Sequence, residues 1–223
     1  MKLRNLSAIA LVLSAAYASP SMAFGLPSIP GIGGGSSGSA SSVNVDALTT
    51  QQTELVQAMA VSLLNLSKAQ VMMFSALGDD EHAKAAQHTV DTLGTGTMTG
   101  NDGMKKALGS SLDLVDYQKQ DIAKAGTLSD ASKAMFAKSL VPYGLGTAGI
   151  VAVGKKAADA GQSLAHTMDP TILLKLSSLL YVAKESPTLI SAFGSTTSQL
   201  VTYATSQGID TSAIKKVGAT LGE

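Results

Sequence analysis

Residues 46–77 read DALTTQQTELVQAMAVSLLNLSKAQVMMFSAL, and their spacing decides the fold class. Steps of four and three from Leu48 land on Gln52, Leu55, Met59, Ser62, Leu66, Ala69, Met73 and Ala76, so seven of the nine positions are apolar or alanine. Side chains at that spacing line one face of an α-helix, and Val56, Leu63 and Leu77 widen the stripe. Gly78 supplies a stop. A helix over this stretch is about 48 Å long, more than twice an ordinary globular helix. A rod of that kind must bury its stripe against long partners, which predicts an antiparallel bundle or an intermolecular coil rather than a cluster of short helices.

The pattern continues toward the C-terminus. Asp79, Asp80 and Glu81 put acids on the first turn of a second helix reaching about Leu93, where they complement the helix dipole. Four glycines between Gly94 and Gly103 mark a loop. Asn101 or Asp102 caps a third helix with Met104, Leu108, Leu112, Val115 and Ile122 on one face, ending near Gly126. Ser129 or Asp130 starts a fourth, which Pro142 is expected to break, with residues 143–166 helical beyond it. Asp169-Pro170 opens a helix with Ile172, Leu173, Leu176, Leu179 and Leu180 on one face, and Ser186-Pro187 is expected to start another running to about Gln207. Asp210 caps a short last one. No window alternates as a strand does, so the expected fold is all-α: an elongated bundle of about six to seven helices with a flexible N-terminal arm.

Toward the N-terminus, Lys2 and Arg4 precede an apolar run from Leu6 to Ala16, followed by Pro20 and Ser21-Met22-Ala23. This reads as a secretory signal peptide over residues 1–23, since the run is too short to span a bilayer and small residues flank a cleavage point after Ala23. Residues 24–42 join an apolar, proline-punctuated arm to a Gly/Ser tract, and Gly33 to Ser42 are expected to form a flexible tether. Phe24, Leu26, Ile29 and Ile32 of the arm are candidate partner-binding residues, suited to an extended peptide lying in a groove of its own body, a neighbouring copy or another envelope component. Residues 43–223 then form a single helical domain.

Composition narrows the chemistry. Basic and acidic side chains balance at 16 each, the only arginine is Arg4, and cysteine is absent. The chain therefore lacks the basic footprint of a nucleic-acid binder, and has no thiolate metal ligand, thiol nucleophile or disulfide framework. Loss of Lys2 and Arg4 with the signal leaves 14 lysines against 16 acids, a faintly acidic exported chain destined for the periplasm or the exterior.

Several motif matches fail on context. Gly33 to Gly38 fits G-x-G-x-x-G, and Gly34 to Gly38 fits G-x-S-x-G, but both lie in the low-complexity tract. Gly144-Leu145-Gly146-Thr147-Ala148-Gly149, with Asp169 twenty residues after Gly149, has dinucleotide-fingerprint spacing, yet Pro142 spoils the strand that should precede it. Gly149 to Lys156 nearly spells a phosphate loop, with Lys156 where Ser or Thr must meet magnesium. Close helix packing explains these small residues better: Gly144, Ala148 and Ala152 form one row and Gly154 and Ala158 another. His82 and His88 are six apart and do not share a face, and His166 sits at a helix end, so all three read as surface or capping residues. Met59, Met72, Met73, Met104 and Met135 are core filler before they are haem ligands. Asp113 and Asp116 have Lys119 near them and read as a solvated face.

No cofactor, metal or catalytic set is therefore expected. The reading is an exported, non-enzymatic helical protein acting by self-assembly or by binding a protein partner, with homo-oligomers and no nucleic acid. The competing reading is a membrane-active helical protein, because residues 139–154 and 186–209 carry no charge over sixteen and twenty-four residues and either could enter a bilayer as a pore former or lipid binder.

Overall fold

The computed structural model describes residues 45–95, 101–164, 170–212 and 214–215. Among these the protein is all-helical, without strands: α1 (Val45–Leu77), α2 (Asp80–Gly94), α3 (Asn101–Lys124), α4 (Asp130–Leu164), α5 (Pro170–Lys175) and α6 (Ser177–Ser206). Ser212, Ile214 and Lys215 add a helical turn begun by Asp210, whose carboxylate accepts from the Ser212 N–H at 2.8 Å. The signal peptide, the arm residues Phe24, Leu26, Ile29 and Ile32, the Gly/Ser tract, His166 and Asp169 lie outside the described residues.

Short connections between α1, α2, α3 and α4 make these helices run in alternating directions. Helices α1, α4, α6 and α3 form a ring of neighbours, and α2 packs in the outer angle between α1 and α3. The periodic stripe of α1 is the centre of this arrangement: Leu55, Met59, Leu66, Ala69 and Met73 are buried, as are Val56 and Leu63. Facing them are Met104, Leu108 and Val115 of α3, Phe136, Leu140, Tyr143 and Ile150 of α4, and Leu179, Val182, Leu189 and Phe193 of α6. Each such side chain contributes on the order of 1.5–3 kcal/mol when fully buried. A second, smaller cluster of Phe74, Ala83, Ala86 and Leu114 fixes α2 against α1 and α3.

Two expected breaks do not occur. Helix α4 continues through Pro142 and α6 through Pro187, so Ser186-Pro187 does not begin a helix. A proline inside a helix costs about 3 kcal/mol. Here large side chains are buried on both sides of each proline, Phe136, Leu140, Tyr143 and Ile150 in α4 and Leu179, Val182, Leu189 and Phe193 in α6, and their combined burial exceeds that cost. The break falls instead at Leu176, between α5 and α6. No side chain of α6 caps it. Gln52 of α1 does so from outside: its amide nitrogen donates to the Lys175 carbonyl at 3.1 Å, and its oxygen accepts from the Leu179 N–H at 3.1 Å.

The other end of the bundle is tied by α6. The Tyr203 hydroxyl donates to the Gly126 carbonyl at 3.1 Å, and the Gln207 side-chain oxygen accepts from the Leu128 N–H at 2.9 Å, holding the α3–α4 loop. Tyr143 is wholly enclosed, and burial pushes its phenol well above the usual tyrosine range.

Candidate functional site

Two places gather side chains beyond the needs of a simple core. The first lies at the turn from α1 to α2. Gly78 adopts φ +82°, the left-handed region that favours glycine, and the turn closes with the Gly78 N–H on the Ser75 carbonyl at 3.2 Å and the Asp79 N–H on the Phe74 carbonyl at 2.9 Å. This pair of bonds ends α1 and delivers Asp79 as the N-cap of α2. One Asp79 oxygen accepts from the His82 N–H at 3.0 Å, and the other meets His82 Nδ1. The His82 ring stacks on Tyr117 of α3 with centroids 4.0 Å apart and lies 5.5 Å from Phe74.

Asp121, one turn beyond Tyr117, completes the cluster, and one ligand atom from each of Asp79, His82 and Asp121 lies within 4.8 Å of the others. Burial acts to raise the pKa of Asp79, but the side-chain and backbone hydrogen bonds from His82, with the neighbouring Asp121, outweigh it and hold it down to about 2. For Asp121, burial and then the adjacent Asp79 carboxyl push the other way, and its pKa is raised. The two carboxyls are thus driven apart, the proton favouring Asp121. One Asp121 oxygen is shielded from water and has no hydrogen-bond partner. A shallow cleft lined by Gly78, Asp80, Glu81 and Lys124 opens beside the cluster.

Two carboxylates and an imidazole are donors a divalent cation accepts. As arranged, however, both Asp79 oxygens serve His82 and the helix start, so the cluster's work is to cap α2 and clasp it to α3. The sequence reads His82 as a surface or capping residue and weighs it only against His88, which is exposed on the same helix. Asp121 was missed because it arrives from another helix, and only the pairing of α1, α2 and α3 reveals it.

The second place is the contact between α1 and α4. A Cβ placed on Gly146 would stand 2.7 Å from the Ser62 carbonyl oxygen and 2.8 Å from the Leu66 nitrogen, and one on Gly149 would overlap Ser62 Oγ. The two backbones touch through these glycines. Gly144 is buried and Ala148 and Ala152 are half-buried, but the close approach to α1 runs through Gly146 and Gly149. Gly154 does meet another helix, a Cβ there coming within 3.0 Å of Ser186 of α6, whereas Ala158 is exposed and takes no part.

The same contact leaves an apolar strip in water. Val141 and Leu145 of α4 are 54% and 48% exposed, and Val61 of α1 is 45% exposed. As α4 advances from Gly146 to Gly149, its contact on α1 retreats from Leu66 and Ser62 to Ser62 alone, so the helices are antiparallel. In an antiparallel pair, residues one position before the touching ones lie on the same flank of both helices. Val61, just before Ser62, and Leu145, just before Gly146, therefore share a flank.

Compared with known proteins, the chain matches no family model, no curated protein and no solved structure.

Proposed function

We propose that this chain is an exported, non-enzymatic helical protein that acts through its surface, by assembling with copies of itself or by binding a partner in the cell envelope or outside the cell. The observation that carries the reading is the exposed apolar flank of Val61, Val141 and Leu145 on the two longest helices of the bundle. Such side chains are costly to leave in water as a group and mark surfaces that become covered. The titratable residues that converge are Asp79, His82 and Asp121; Asp79 caps α2 and engages His82, and Asp121 joins them from α3. The arm bearing Phe24, Leu26, Ile29 and Ile32 is a further element for assembly. Light scattering on the exported protein, with and without detergent, tests the reading: a mass above the monomer, lowered by Val141→Asp with Leu145→Asp or by deletion of residues 24–32, supports assembly. A monomer that captures no envelope component, and that neither change affects, contradicts the whole reading.

Insertion into a bilayer is the second reading, favoured by one observation. Helix α1 over Asp46–Leu77 and α4 over Asp130–Gln162 are each long and apolar enough to span a membrane. Segment 139–154 lies within α4, while 186–209 belongs largely to α6, which does not reach that apolarity. Half of each candidate window is buried in the bundle, 50% and 56%, as in core helices of proteins that never insert. Leakage of vesicle contents would favour insertion, and intact vesicles would remove it.

A further inference from the structure

Asp79, His82 and Asp121 differ in three respects from the acids scattered over the surface of the bundle. First, they join an imidazole to two carboxyls from separate elements: Asp79 stands at the turn after α1, His82 on the first turn of α2 and Asp121 on the last turn of α3. All three are half-buried, one donor atom of each lies within 4.8 Å of the others, and Tyr117 and Phe74 hold the His82 ring in place. Second, one Asp121 oxygen is shielded from water and has no hydrogen-bond partner. A carboxyl oxygen in that position calls for a donor or a cation. Third, the cleft beside the cluster sets Asp79, Asp80, Glu81 and Asp121 against one lysine, Lys124, so its field favours cations and solvent has a path to the donors.

We propose that Asp79, His82 and Asp121 form a binding site for one divalent cation of the zinc class, which fastens α2 to α3. The donor chemistry selects the ion: neutral imidazole with two carboxylates suits Zn2+ and its first-row neighbours, whereas Mg2+ and Ca2+ prefer sets made of oxygen alone. Donors around tetrahedral zinc stand about 3.3 Å apart, given bonds of about 2.0–2.2 Å, so the three side chains reach one ion with movements on the order of an ångström. On uptake, His82 Nδ1 gives up the proton it directs at Asp79, which leaves to water through the cleft, and the ion takes the proton's place between the two. The other Asp79 oxygen keeps the His82 N–H, so the cap of α2 survives. Asp121 supplies the third bond, and water from the cleft completes the ion's shell.

The proposal is independent of what covers the α1–α4 flank. To test it, the purified protein is stripped with EDTA, dialysed, and titrated calorimetrically with ZnCl2 and, separately, with MgCl2. The site predicts one Zn2+ per chain, no binding of Mg2+ at the same concentrations, and a thermal midpoint that rises with zinc and falls back when EDTA is added. Asp121→Asn and His82→Gln should each weaken zinc binding by about tenfold or more, while His88→Gln, at an exposed position of α2, should leave it unchanged. Asp121→Asn also separates ligation from a purely structural role. It keeps the side chain's volume and relieves the repulsion from Asp79, so the metal-free variant should melt at or above the wild-type midpoint while its response to zinc is lost. Failure of the wild-type protein to bind zinc, equal affinity for Mg2+, zinc binding that Asp121→Asn and His82→Gln both retain, or an equal loss on His88→Gln would overturn the proposal.

Discussion

Ser62 and Gly149 stand so close that a Cβ on the glycine would overlap the serine hydroxyl, which donates to the Ala58 carbonyl at 2.7 Å. Serine at position 62 interrupts the apolar stripe of α1, and the interruption has a physical reason: a larger side chain there would hold α4 away. The contact gives a reciprocal test. Gly146→Ala, opposed by rigid backbone on α1, should destabilise the bundle by about 1–3 kcal/mol in urea unfolding. Gly149→Ala should also destabilise it, and Ser62→Ala should recover part of the loss in the double variant, because the overlapping oxygen is gone. Additive losses would show that the helices are already separated at that level.

A second prediction concerns polar groups inside the core. Gln70 of α1 is fully buried, and neither its amide nitrogen nor its oxygen has a partner; Ser67, Ser111 and the Gln118 oxygen are likewise unpaired. The Gln118 nitrogen reaches only the Met73 sulfur, at 2.9 Å, a weak acceptor. Replacing Gln70 by leucine should raise the unfolding free energy by about 1 kcal/mol or more, since it removes desolvated groups and keeps the volume. A loss of stability would mean that enclosed water or another partner satisfies the amide.

The capping cluster yields opposite pH signatures. Asp79 is held down to about 2, so its contribution is present above the ordinary carboxylate pKa and fades as pH falls through about 2. Asp79→Ala should cost about 1 kcal/mol at neutral pH, with the gap to wild type closing in strong acid. Asp121 is raised, so its ionised form opposes folding and its contribution is lost as pH climbs through the raised value. Asp121→Asn should therefore stabilise the protein at neutral pH and have little effect near pH 3, as thermal melts across that range would register. Destabilisation at neutral pH would contradict the arrangement.

Gln52 supports a fourth prediction. Its side chain joins the start of α1 to the break between α5 and α6 through both amide atoms. Gln52→Leu would restore the apolar stripe yet should destabilise by about 1–2 kcal/mol, because the Leu179 N–H and the Lys175 carbonyl lose their partner. Hydrogen exchange should quicken at Leu179 in that variant, and an unchanged rate would show that the clamp is idle.

These residues also show which features the sequence made legible. The stripe from Leu48 to Ala76 located α1 to within one residue, because a helical period sustained over so long a stretch has one structural solution. Its two departures, Gln52 and Ser62, proved to be the contacts that position other helices, and periodicity alone could not say to what. Pro142 and Pro187 misled because a local cost is visible in sequence while the burial that exceeds it is not. The close-packing glycines were recognised as a class, but the row that meets α1 depends on the rotation of α4, which Ser62 and Leu66 set from outside. Asp121 joined Asp79 and His82 for the same reason: it comes from a different helix.

The account stands most directly on whether the flank of Val61, Val141 and Leu145 is covered where the protein works. Because the chain has no cysteine, Leu145→Cys provides a single labelling position, and Lys84→Cys on exposed α2 provides a control. Maleimide should label both positions in the purified protein, whereas in intact preparations of the cell that makes the protein position 145 should be shielded and position 84 should react. Equal labelling of the two positions in those preparations would mean that the flank stays in water, and would contradict the account.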